Sequence, residues 1–340
     1  MVLTMDVPAC FICGTTGEAR YRDLSDRLFG VPGEWSILRC EACGLMWLSP
    51  RPLPSESSKL YAEYYTHQVE SRDSRIRRLR RSVKRSVLAS YFGYNHQRIN
   101  GRVHNLTGRI CGALPAVRAK IQRDTLYLRG EQRGRLLDVG SGDGSFMVQM
   151  RELGWTVYGV EPDAKAAEVA RRTFQCDVHT GSVYDASFES DYFDAITLCH
   201  VIEHVPDPIG VLDRCNSFLR PNGMLVLATP NVSGLGHRLL GASWRELDPP
   251  RHFVLFTPET LRVCVERAGF EVQRLVSSPR NASQIWHASR LIRTTGKVDA
   301  RQATLRPRLE AALFRLLESS MQSVSTNAIS EEIIIIASKK

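Results

Sequence analysis

From residue 134 onward, short apolar runs alternate with stretches whose apolar residues recur at helical spacing. The apolar runs predict strands in "GRLLDV", "TVYGVEP", "CDVHTG", "FDAITLCHV" and "GMLVLATPN". The intervening stretches predict helices in "SFMVQMRELG", "AKAAEVARRTF" and "PIGVLDRCNSFL". Further along, "TPETLRVCVERAGF" predicts one more helix, and "EVQRLVSS" and "EEIIIIASK" predict two more strands. Strands and helices that alternate at this length predict an α/β fold built on a doubly wound parallel sheet.

Two changes of pattern divide the chain before this region. The proline-bearing stretch "LSPRPLPSESS" marks a boundary near residue 52, and helical patterns starting at "KLYAEYY" extend to about residue 128. We therefore predict a small module at 1–52, a helical segment at 53–130 and the α/β domain at 131–340. Within that domain, an insertion at about 279–330 carries the amphipathic stretch "LRPRLEAALFRLLESSMQ", which suits packing, a lid or a homodimer contact.

Composition places the chain in a broad class. Of its 340 residues, 43% are hydrophobic and 24% are charged, which is ordinary for a soluble globular protein. The stretch "MVLTMDVPAC" lacks the layout of a signal peptide, and no apolar run approaches the ~18 residues of a membrane span. Nine cysteines without an export signal favour reduced thiols or metal ligands over disulfides. The expected compartment is the cytoplasm.

The net charge of +9 is concentrated in one segment. Between Arg72 and Arg85 stand eight basic residues and one acid, while apolar residues recur there at helical spacing. The segment therefore predicts a basic amphipathic helix. Such a helix can pack its apolar stripe on a neighbouring domain, or it can bind an anionic partner such as the inner membrane face, a substrate carrier or nucleic acid.

Four cysteines near the amino terminus have the spacing of a metal site. "CFICG" and "CEACG" place Cys10 and Cys13, then Cys40 and Cys43, as two C-x2-C pairs, each followed by a glycine. Two such turns complete a tetrahedron of thiolates, the geometry of structural zinc. Four thiolates leave no open coordination position, so this zinc would stabilise the module and catalyse nothing. Thiol redox chemistry and unrelated cysteines are the alternatives.

A second stretch, His200-Val-Ile-Glu-His204, matches the H-x-x-E-H pattern of some zinc peptidases. That chemistry needs a continuous helix, so that residues four apart share one face. Here the stretch follows the apolar run "FDAITLC", and Pro206 restricts Val205 to extended conformations. The context therefore disfavours a peptidase site.

A glycine-rich turn follows the first predicted strand of the α/β domain. Gly140, Gly142 and Gly144 form G-x-G-x-G, whereas a dinucleotide fingerprint has its third small residue one position later. Asp138 lies on the strand before the turn, and Glu161 closes the second strand, where a carboxylate can accept hydrogen bonds from both ribose hydroxyls. Together these features predict a nucleoside-containing cofactor.

With these residues, the chain resembles the class I S-adenosylmethionine-dependent methyltransferases, particularly small-molecule enzymes of cell-surface sugar and natural-product pathways. The resemblance covers about residues 134–278 and implies a seven-stranded sheet that ends with "EEIIIIASK" as an antiparallel strand. It implies that Glu161 holds the ribose and that S-adenosylmethionine is the cofactor. The methionine part would be bound by Asp138, Gly140, Ser141, Gly142, Asp143, Gly144 and His200. The adenine would be bordered by Pro162, Ser182 and Val183, although many relatives carry an acid at the position of Ser182.

The same resemblance places Glu203 and His204 beside the methyl acceptor. Methyl transfer to an alcohol requires removal of a proton, and a histidine with a pKa near neutrality suits that task. His204 is the predicted general base, Glu203 would orient the imidazole, and His200 is the reserve. Alternatively, "EHVPDP" mainly builds a turn in which His204 bonds to backbone. Further candidate acceptor contacts are Trp244, Arg245, His252, Tyr61, Tyr64 and Tyr65.

The sequence thus predicts a zinc-containing methyltransferase acting on a small polar metabolite, by O-methylation of a sugar or lipid-linked glycan. A sugar C-methyltransferase is similar in layout, but such enzymes carry a further carboxy-terminal domain. An RNA methyltransferase would suit the basic helix, but "LCHVIEH" replaces the N-P-P-[YF] type of motif that grips a flipped base. Nucleic acid is therefore not the expected partner. A non-catalytic binding protein would not need the cofactor residues.

Overall fold

The computed structural model describes residues 2–56, 60, 75–94, 102–298, 305–324 and 329–340. Tyr61, Tyr64, Tyr65 and Arg72 lie outside the described residues. Thirteen strands lie in the described part of the chain: β1 Thr4–Met5, β2 Glu18–Leu24, β3 Trp35–Arg39, β4 Met46–Ser49, β5 Arg51–Pro52, β6 Arg135–Val139, β7 Thr156–Glu161, β8 Asp177–Thr180, β9 Phe193–Cys199, β10 Leu219–Pro230, β11 Val254–Leu255, β12 Phe270–Ser278 and β13 Glu332–Lys339.

The described α-helices are α1 Arg75–Tyr91, α2 Arg102–Ala113, α3 Pro115–Asp124, α4 Ser145–Glu152, α5 Ala164–Phe174, α6 Pro208–Phe218, α7 Leu235–Leu240, α8 Pro258–Arg267, α9 Ala282–Thr295 and α10 Leu305–Val324. Short 3-10 helices occur at Pro54–Glu56, Gly130–Gln132, Ile202–His204, Gly241–Ser243 and Arg245–Leu247. Within the part of the chain that is described, none of the helices has the length and apolar character needed to cross a bilayer.

Seven strands form one sheet in the order β12-β13-β10-β9-β6-β7-β8. The predicted α/β fold with a seven-stranded sheet is therefore confirmed. Strands β6, β7 and β8 pair in parallel, and β12 pairs antiparallel with β13, as expected for the last strand. In β6 every residue after Arg135 is buried, which accounts for its continuous apolar run. Helix α5 begins where the side chain of Asp163 accepts a hydrogen bond from the backbone N–H of Lys165.

The chain divides into two compact units. The first contains residues 1–64, 198–216 and 227–340, and the second contains 65–197 and 217–226. Strands β9 and β10 each contribute residues to both units. The boundaries predicted from the sequence, at 52 and 130, remain predictions.

Within the first unit, the amino-terminal strands belong to a four-stranded sheet of order β11-β4-β3-β2. Its outer strand β11 pairs antiparallel with β4, with Val254 opposite Trp47 and Leu255 opposite Met46. The module predicted at 1–52 therefore takes one strand of its sheet from a segment about 200 residues later.

A buried ionic cluster stabilises the same unit. Both carboxylate oxygens of Asp26 accept hydrogen bonds from Arg251, each 2.8 Å long, and Asp248 binds the other side of the guanidinium. Asp26 also accepts three backbone N–H bonds from the turn between β2 and β3. The charges are therefore paired and hydrogen-bonded, as buried charges must be if they are not to destabilise the fold.

Candidate functional site

The residues singled out by the sequence fall into three groups, each contained within one unit. The four cysteines and the cluster around His200, Glu203 and His204 belong to the first unit. The glycine turn and Glu161 belong to the second.

The cysteines lie on two turns of the same construction. The backbone N–H of Gly14 donates to the oxygen of Cys10, and that of Gly44 donates to the oxygen of Cys40, at 2.8 and 2.9 Å. Both glycines have positive φ, 75° and 78°, which explains why glycine follows each pair. The turns thus present two thiols each toward a common centre.

The sulfur positions fit a tetrahedral zinc ion. The Sγ–Sγ distances are 3.6 Å for Cys10–Cys43, 3.3 Å for Cys13–Cys40 and 4.0 Å for Cys13–Cys43. A tetrahedron with Zn–S bonds of about 2.3 Å has edges of about 3.8 Å. All four thiols are free, and their sulfur atoms all lie within 4.8 Å of one another. The predicted cluster is therefore present, and zinc is plausible at it.

The glycine turn in the second unit is held against strand β7. Backbone N–H groups of Gly140 and Ser141 both donate to the oxygen of Val160, at 2.7 and 3.2 Å. The three glycines have φ values of 74°, 55° and 82°. A Cβ atom at Gly144 would lie 2.9 Å from the Cβ of Ala170, whereas one at Gly142 would meet open space. Gly144 is thus required for packing, and Gly142 leaves room beside the turn.

Glu161 joins this turn to the end of β7. Its carboxylate accepts hydrogen bonds from the backbone N–H of Gly142, at 2.7 Å, and of Asp163, at 2.8 Å. Burial raises its pKa, and these two N–H donors act in the opposite direction. Asp138 is also buried and accepts a 2.7 Å hydrogen bond from the hydroxyl of Thr197. Burial raises the pKa of Asp138 to about 7.

Ser141 in the glycine turn and the predicted adenine contacts also differ in their polar partners and exposure. The Oγ atom of Ser141 is buried and has no hydrogen-bond partner among the described residues. Ser182 donates its backbone N–H and its hydroxyl to Asp185, at 2.9 and 2.6 Å. Asp185 therefore places a carboxylate within hydrogen-bond distance of Ser182. Val183 is buried, and Pro162 is exposed.

In the first unit, His200 follows strand β9 directly and lies between two carboxylates. Its Nε2 atom is 2.9 Å from Glu332 Oε1, and its Nδ1 atom is 3.3 Å from Glu203 Oε1. Burial acts to lower the pKa of His200, but the two carboxylates outweigh it and hold the pKa well above its usual value. Its φ of 56° is rare for a residue other than glycine, and such backbone strain is common at functional sites.

The histidine stretch is not one continuous helix. Strand β9 ends at Cys199, and only Ile202–His204 forms a short 3-10 turn. The expected break between the two histidines is therefore confirmed. Glu203 is almost fully buried, and its second oxygen accepts a 2.9 Å hydrogen bond from the Thr229 hydroxyl.

His204 lies beside a histidine from a distant segment. Its Nδ1 atom is 3.0 Å from the backbone oxygen of Arg251, and its ring contacts that of His252 edge to face, with centroids 4.7 Å apart. Burial, followed by the nearby His252, lowers the pKa of His204 to about 4. The expectation of a pKa near neutrality is therefore wrong, because the sequence cannot show that the imidazole is buried beside a second imidazole.

The other candidate contacts have mainly packing roles. Trp244 is 1% exposed and donates its Nε1–H to Glu331 at 2.6 Å, and Arg245 pairs with Glu246.

The basic helix α1 lies in the second unit, where Lys84 forms an ion pair with Asp124 and Arg85 forms one with Glu152. Arg80 and Arg81 of the same helix are exposed.

Sequence reasoning missed the partners that complete the His200 cluster. Glu332 opens strand β13, where an acid before the apolar run "IIII" is the only local signal. Thr229 is an ordinary polar residue near the end of the apolar strand β10. His252 was noted only as an acceptor contact, not as a neighbour of His204.

Comparison with known proteins also indicates a methyltransferase domain. Residues 114–275 match a family model described as a methyltransferase domain. Over 103 residues the chain is 38% identical to ubiquinone biosynthesis O-methyltransferase of Xanthomonas campestris pv. campestris, covering 28% of this chain and 43% of that protein. It is 29% identical over 166 residues to the protein of the same name from Cereibacter sphaeroides, covering 46% of this chain and 67% of that one. The chain thus spans about half the length of the curated relatives it matches.

Solved structures are also similar. A SAM-dependent methyltransferase from Archaeoglobus fulgidus has a TM-score of 0.44 and 21% identity, covering 70% of this chain and all of that one. An S-adenosylmethionine-dependent methyltransferase from Mesorhizobium loti has a TM-score of 0.45 and 17% identity, covering 65% of this chain and 98% of that one.

Proposed function

Because the chain belongs to the class I S-adenosylmethionine-dependent methyltransferases, we propose that it transfers a methyl group to a hydroxyl oxygen of a small-molecule acceptor. The observation that carries this proposal is the glycine turn hydrogen-bonded to Glu161 within the matched methyltransferase domain. The names of the relatives at up to 38% identity support transfer to oxygen.

The sequence predicts a sugar or lipid-linked glycan as the methyl acceptor, which is more specific than the relatives support. They are named for ubiquinone biosynthesis, and a sugar or glycan acceptor finds no support in them. The proposed acceptor is therefore a small molecule with a hydroxyl group, rather than a sugar or lipid-linked glycan.

The second unit offers the groups that would hold S-adenosylmethionine, the cofactor of this class. We propose that Glu161 accepts the ribose hydroxyls, since each carboxylate oxygen keeps acceptor capacity beyond its one backbone bond. Asp138 and the Gly140–Gly144 turn, with Ser141 and Asp143, would border the methionine part, and the unpartnered Ser141 hydroxyl fits a polar group there. When bound, the cofactor supplies a methyl group on a positively charged sulfur.

The adenine end of the same site involves a carboxylate that the sequence pattern did not provide. We propose that Pro162, Ser182 and Val183 border the ring. Asp185, held against Ser182 by two hydrogen bonds, would accept from the adenine amino group. It stands three residues after the position where relatives carry an acid.

The first unit supplies the groups proposed to act on the acceptor hydroxyl. A carbonyl oxygen only accepts, so the hydrogen bond from His204 to Arg251 places the proton on Nδ1 and the lone pair on Nε2. We propose His204 as the general base. Its pKa of about 4 means that it is a weaker base than an ordinary histidine. His200, already hydrogen-bonded to two carboxylates, would bring positive charge and orientation rather than accept the proton.

Cofactor binding tests the first half of this proposal. Replacing Glu161 by alanine should cost roughly 1.5–3 kcal/mol for each hydrogen bond lost to the charged group, before compensation by water. Calorimetry with S-adenosylmethionine measures the change, and Glu168→Ala, a half-buried acid on α5, is the matched control. Unchanged affinity in Glu161→Ala, or tight NAD binding by the wild type, would contradict the assignment.

The proposed methyl transfer to a hydroxyl oxygen is tested by detection of the product. Metabolite extracts incubated with the protein and methyl-labelled cofactor should yield a labelled small molecule whose fragmentation locates the methyl group on oxygen. Label found on carbon would instead support the C-methyltransferase alternative.

A further inference from the structure

We infer that Glu203, His204 and His252 form a binding site for a divalent transition-metal ion, separate from the four cysteines. Each of the three offers one ligand atom, and these atoms all lie within 4.8 Å of one another. Two imidazoles and one carboxylate are ligands that zinc and similar ions accept at catalytic sites, where a further position stays open.

The site unites two loops of the first unit. The backbone N–H of Phe253 donates to the oxygen of Glu203 at 2.7 Å, and His204 bonds to the oxygen of Arg251. These two hydrogen bonds lie on either side of His252 in the chain, so they hold its ring against that of His204. The juxtaposition therefore rests on backbone as well as side-chain contacts.

Both imidazoles are oriented as metal ligands usually are. Nδ1 of His204 lies 3.0 Å from the oxygen of Arg251, and Nδ1 of His252 lies 2.7 Å from the oxygen of Glu246. A backbone oxygen can only accept, so in each ring the proton lies on Nδ1 and Nε2 is the atom that would bind the metal. Metal-binding histidines are characteristically held in this way by an outer partner.

The carboxylate has outer partners as well. Glu203 is 1% exposed and binds the Thr229 hydroxyl through one oxygen and His200 through the other. Asp248 lies near the same ring, with its Oδ2 atom 3.8 Å from His252 Nε2, and both of its oxygens also bind Arg251. One carboxylate and two imidazoles form a ligand set that zinc and similar ions accept.

This site differs from the H-x-x-E-H pattern. His200 is occupied by Glu203 and Glu332, so it serves as an outer partner rather than a ligand. The second histidine ligand is His252, which lies 48 residues after His204 and outside the motif. A sequence search for the peptidase pattern would therefore assign the wrong pair of histidines.

A role for the ion rests on the proposed function. Three protein ligands leave a position that a water or an acceptor hydroxyl can take, and a bound divalent ion lowers the pKa of a coordinated hydroxyl. The proton would then pass to solvent, and the acceptor oxygen would be held as an alkoxide or phenoxide.

Titration of the metal-free protein with Co²⁺ tests the site without cofactor or acceptor, so the result does not depend on methyl transfer. Cobalt bound by thiolates shows intense sulfur-to-metal charge transfer, whereas cobalt bound by nitrogen and oxygen does not. We expect the wild type to bind one equivalent of cobalt at the thiolates and one equivalent at nitrogen and oxygen ligands. Cys40→Ser should lose the thiolate-bound cobalt, and His252→Gln should lose only the cobalt bound by nitrogen and oxygen.

Two further variants keep the test decisive if His252→Gln folds poorly. Thr229→Val keeps the side-chain shape and removes one outer partner of Glu203, so it should weaken the second cobalt by about 10–100-fold. His179→Gln, a half-buried histidine in the other unit, is the matched control and should keep both. Either of two results would overturn the inference. The first is that the wild type binds cobalt at the thiolates alone. The second is that Thr229→Val and His252→Gln both bind the cobalt held by nitrogen and oxygen with wild-type affinity.

Discussion

Asp26 and Arg251 form a bidentate ion pair, with hydrogen bonds of 2.8 Å on both sides and neither side chain exposed to solvent. The two residues are 225 positions apart in the chain. The backbone oxygen of the same Arg251 accepts the hydrogen bond from His204. The turn between β2 and β3 is thus linked through one arginine to the candidate catalytic cluster.

Replacing Asp26 by alanine should destabilise the first unit by about 3–5 kcal/mol, because it breaks a buried bidentate ion pair and leaves the guanidinium of Arg251 with Asp248 as its one remaining carboxylate partner. Chemical denaturation followed by tryptophan fluorescence measures the change, since four of the five tryptophans belong to that unit. Glu271→Ala, an exposed acid on β12, should change stability by less than about 0.5 kcal/mol. A similar small effect for Asp26→Ala would show that the pair contributes little.

Loss of the cysteine cluster should have a local effect wider than residues 1–52. Cys40→Ser should release the metal held by the cysteines and reduce hydrogen-exchange protection in β2, β3, β4 and also β11, because the four strands share one sheet. Protection in β6, β7 and β8 of the second unit should remain. Cys111→Ser, at a lone half-buried cysteine, is the control for removal of a thiol. Retained protection in β11 of Cys40→Ser would contradict this expectation.

Asp138 should make the stability of the cofactor-free protein decrease as pH rises. Its pKa of about 7 in the folded state lies above the ordinary value, so the folded protein holds a proton that the unfolded chain has released. The contribution is fully present below about pH 4 and is lost as pH rises through 7, with a total of about 4 kcal/mol.

Asp138→Asn should remove this dependence, because asparagine keeps the acceptor for Thr197 and does not ionise. Denaturation midpoints of the variant and the wild type, compared from pH 4 to 8, should diverge in favour of the variant. Asp177→Asn, an exposed acid on β8, is the control. Parallel curves for wild type and Asp138→Asn would show that burial does not hold the proton.

His204→Ala should keep affinity for S-adenosylmethionine within about threefold and lower turnover by roughly 10²–10⁴-fold, the range for loss of a group that acts on the acceptor proton. The cofactor residues proposed above lie in the other unit, which is why binding should persist. Single-turnover kinetics with an identified acceptor measures the rate. Undiminished turnover would remove His204 from the reaction.

The exposed part of helix α1 should bind anionic vesicles in a salt-sensitive manner. Arg80 and Arg81 are exposed beside Leu79, which is 66% exposed, and each basic residue near an anionic surface contributes about 1 kcal/mol. Arg80→Glu with Arg81→Glu should reduce sedimentation with anionic vesicles, whereas Arg262→Glu with Arg267→Glu, an equal change of charge on α8, should not. Equal pelleting with neutral and anionic vesicles would favour the packing role of the helix.

The sequence predicts those features that depend on neighbours along the chain. Strand β7, helix α5 and the cap at Asp163 follow from local apolar spacing and a local hydrogen bond, and the cysteine turns follow from two short motifs. The strand β11 has only two residues, Val254 and Leu255, and their assignment depends on the presence of β4.

The same distinction explains the candidate site. The glycine turn and Glu161 were found because their spacing is short and fixed by one strand and one turn. Glu332 and His252 were not assigned to the His200–His204 cluster, because only tertiary structure brings them there. The pKa of His204 likewise depends on burial and on His252, neither of which a sequence motif records.

The late arrival of β11 has a consequence for synthesis of the chain on the ribosome. At about 5–20 residues per second, the roughly 200 residues between Trp47 and Val254 require on the order of 10–40 s. During that interval all four cysteines are already synthesised, while the edge of β4 still lacks its partner strand. An unpaired strand edge is a site of unwanted association, so the nascent chain exposes one such edge until residue 255 emerges.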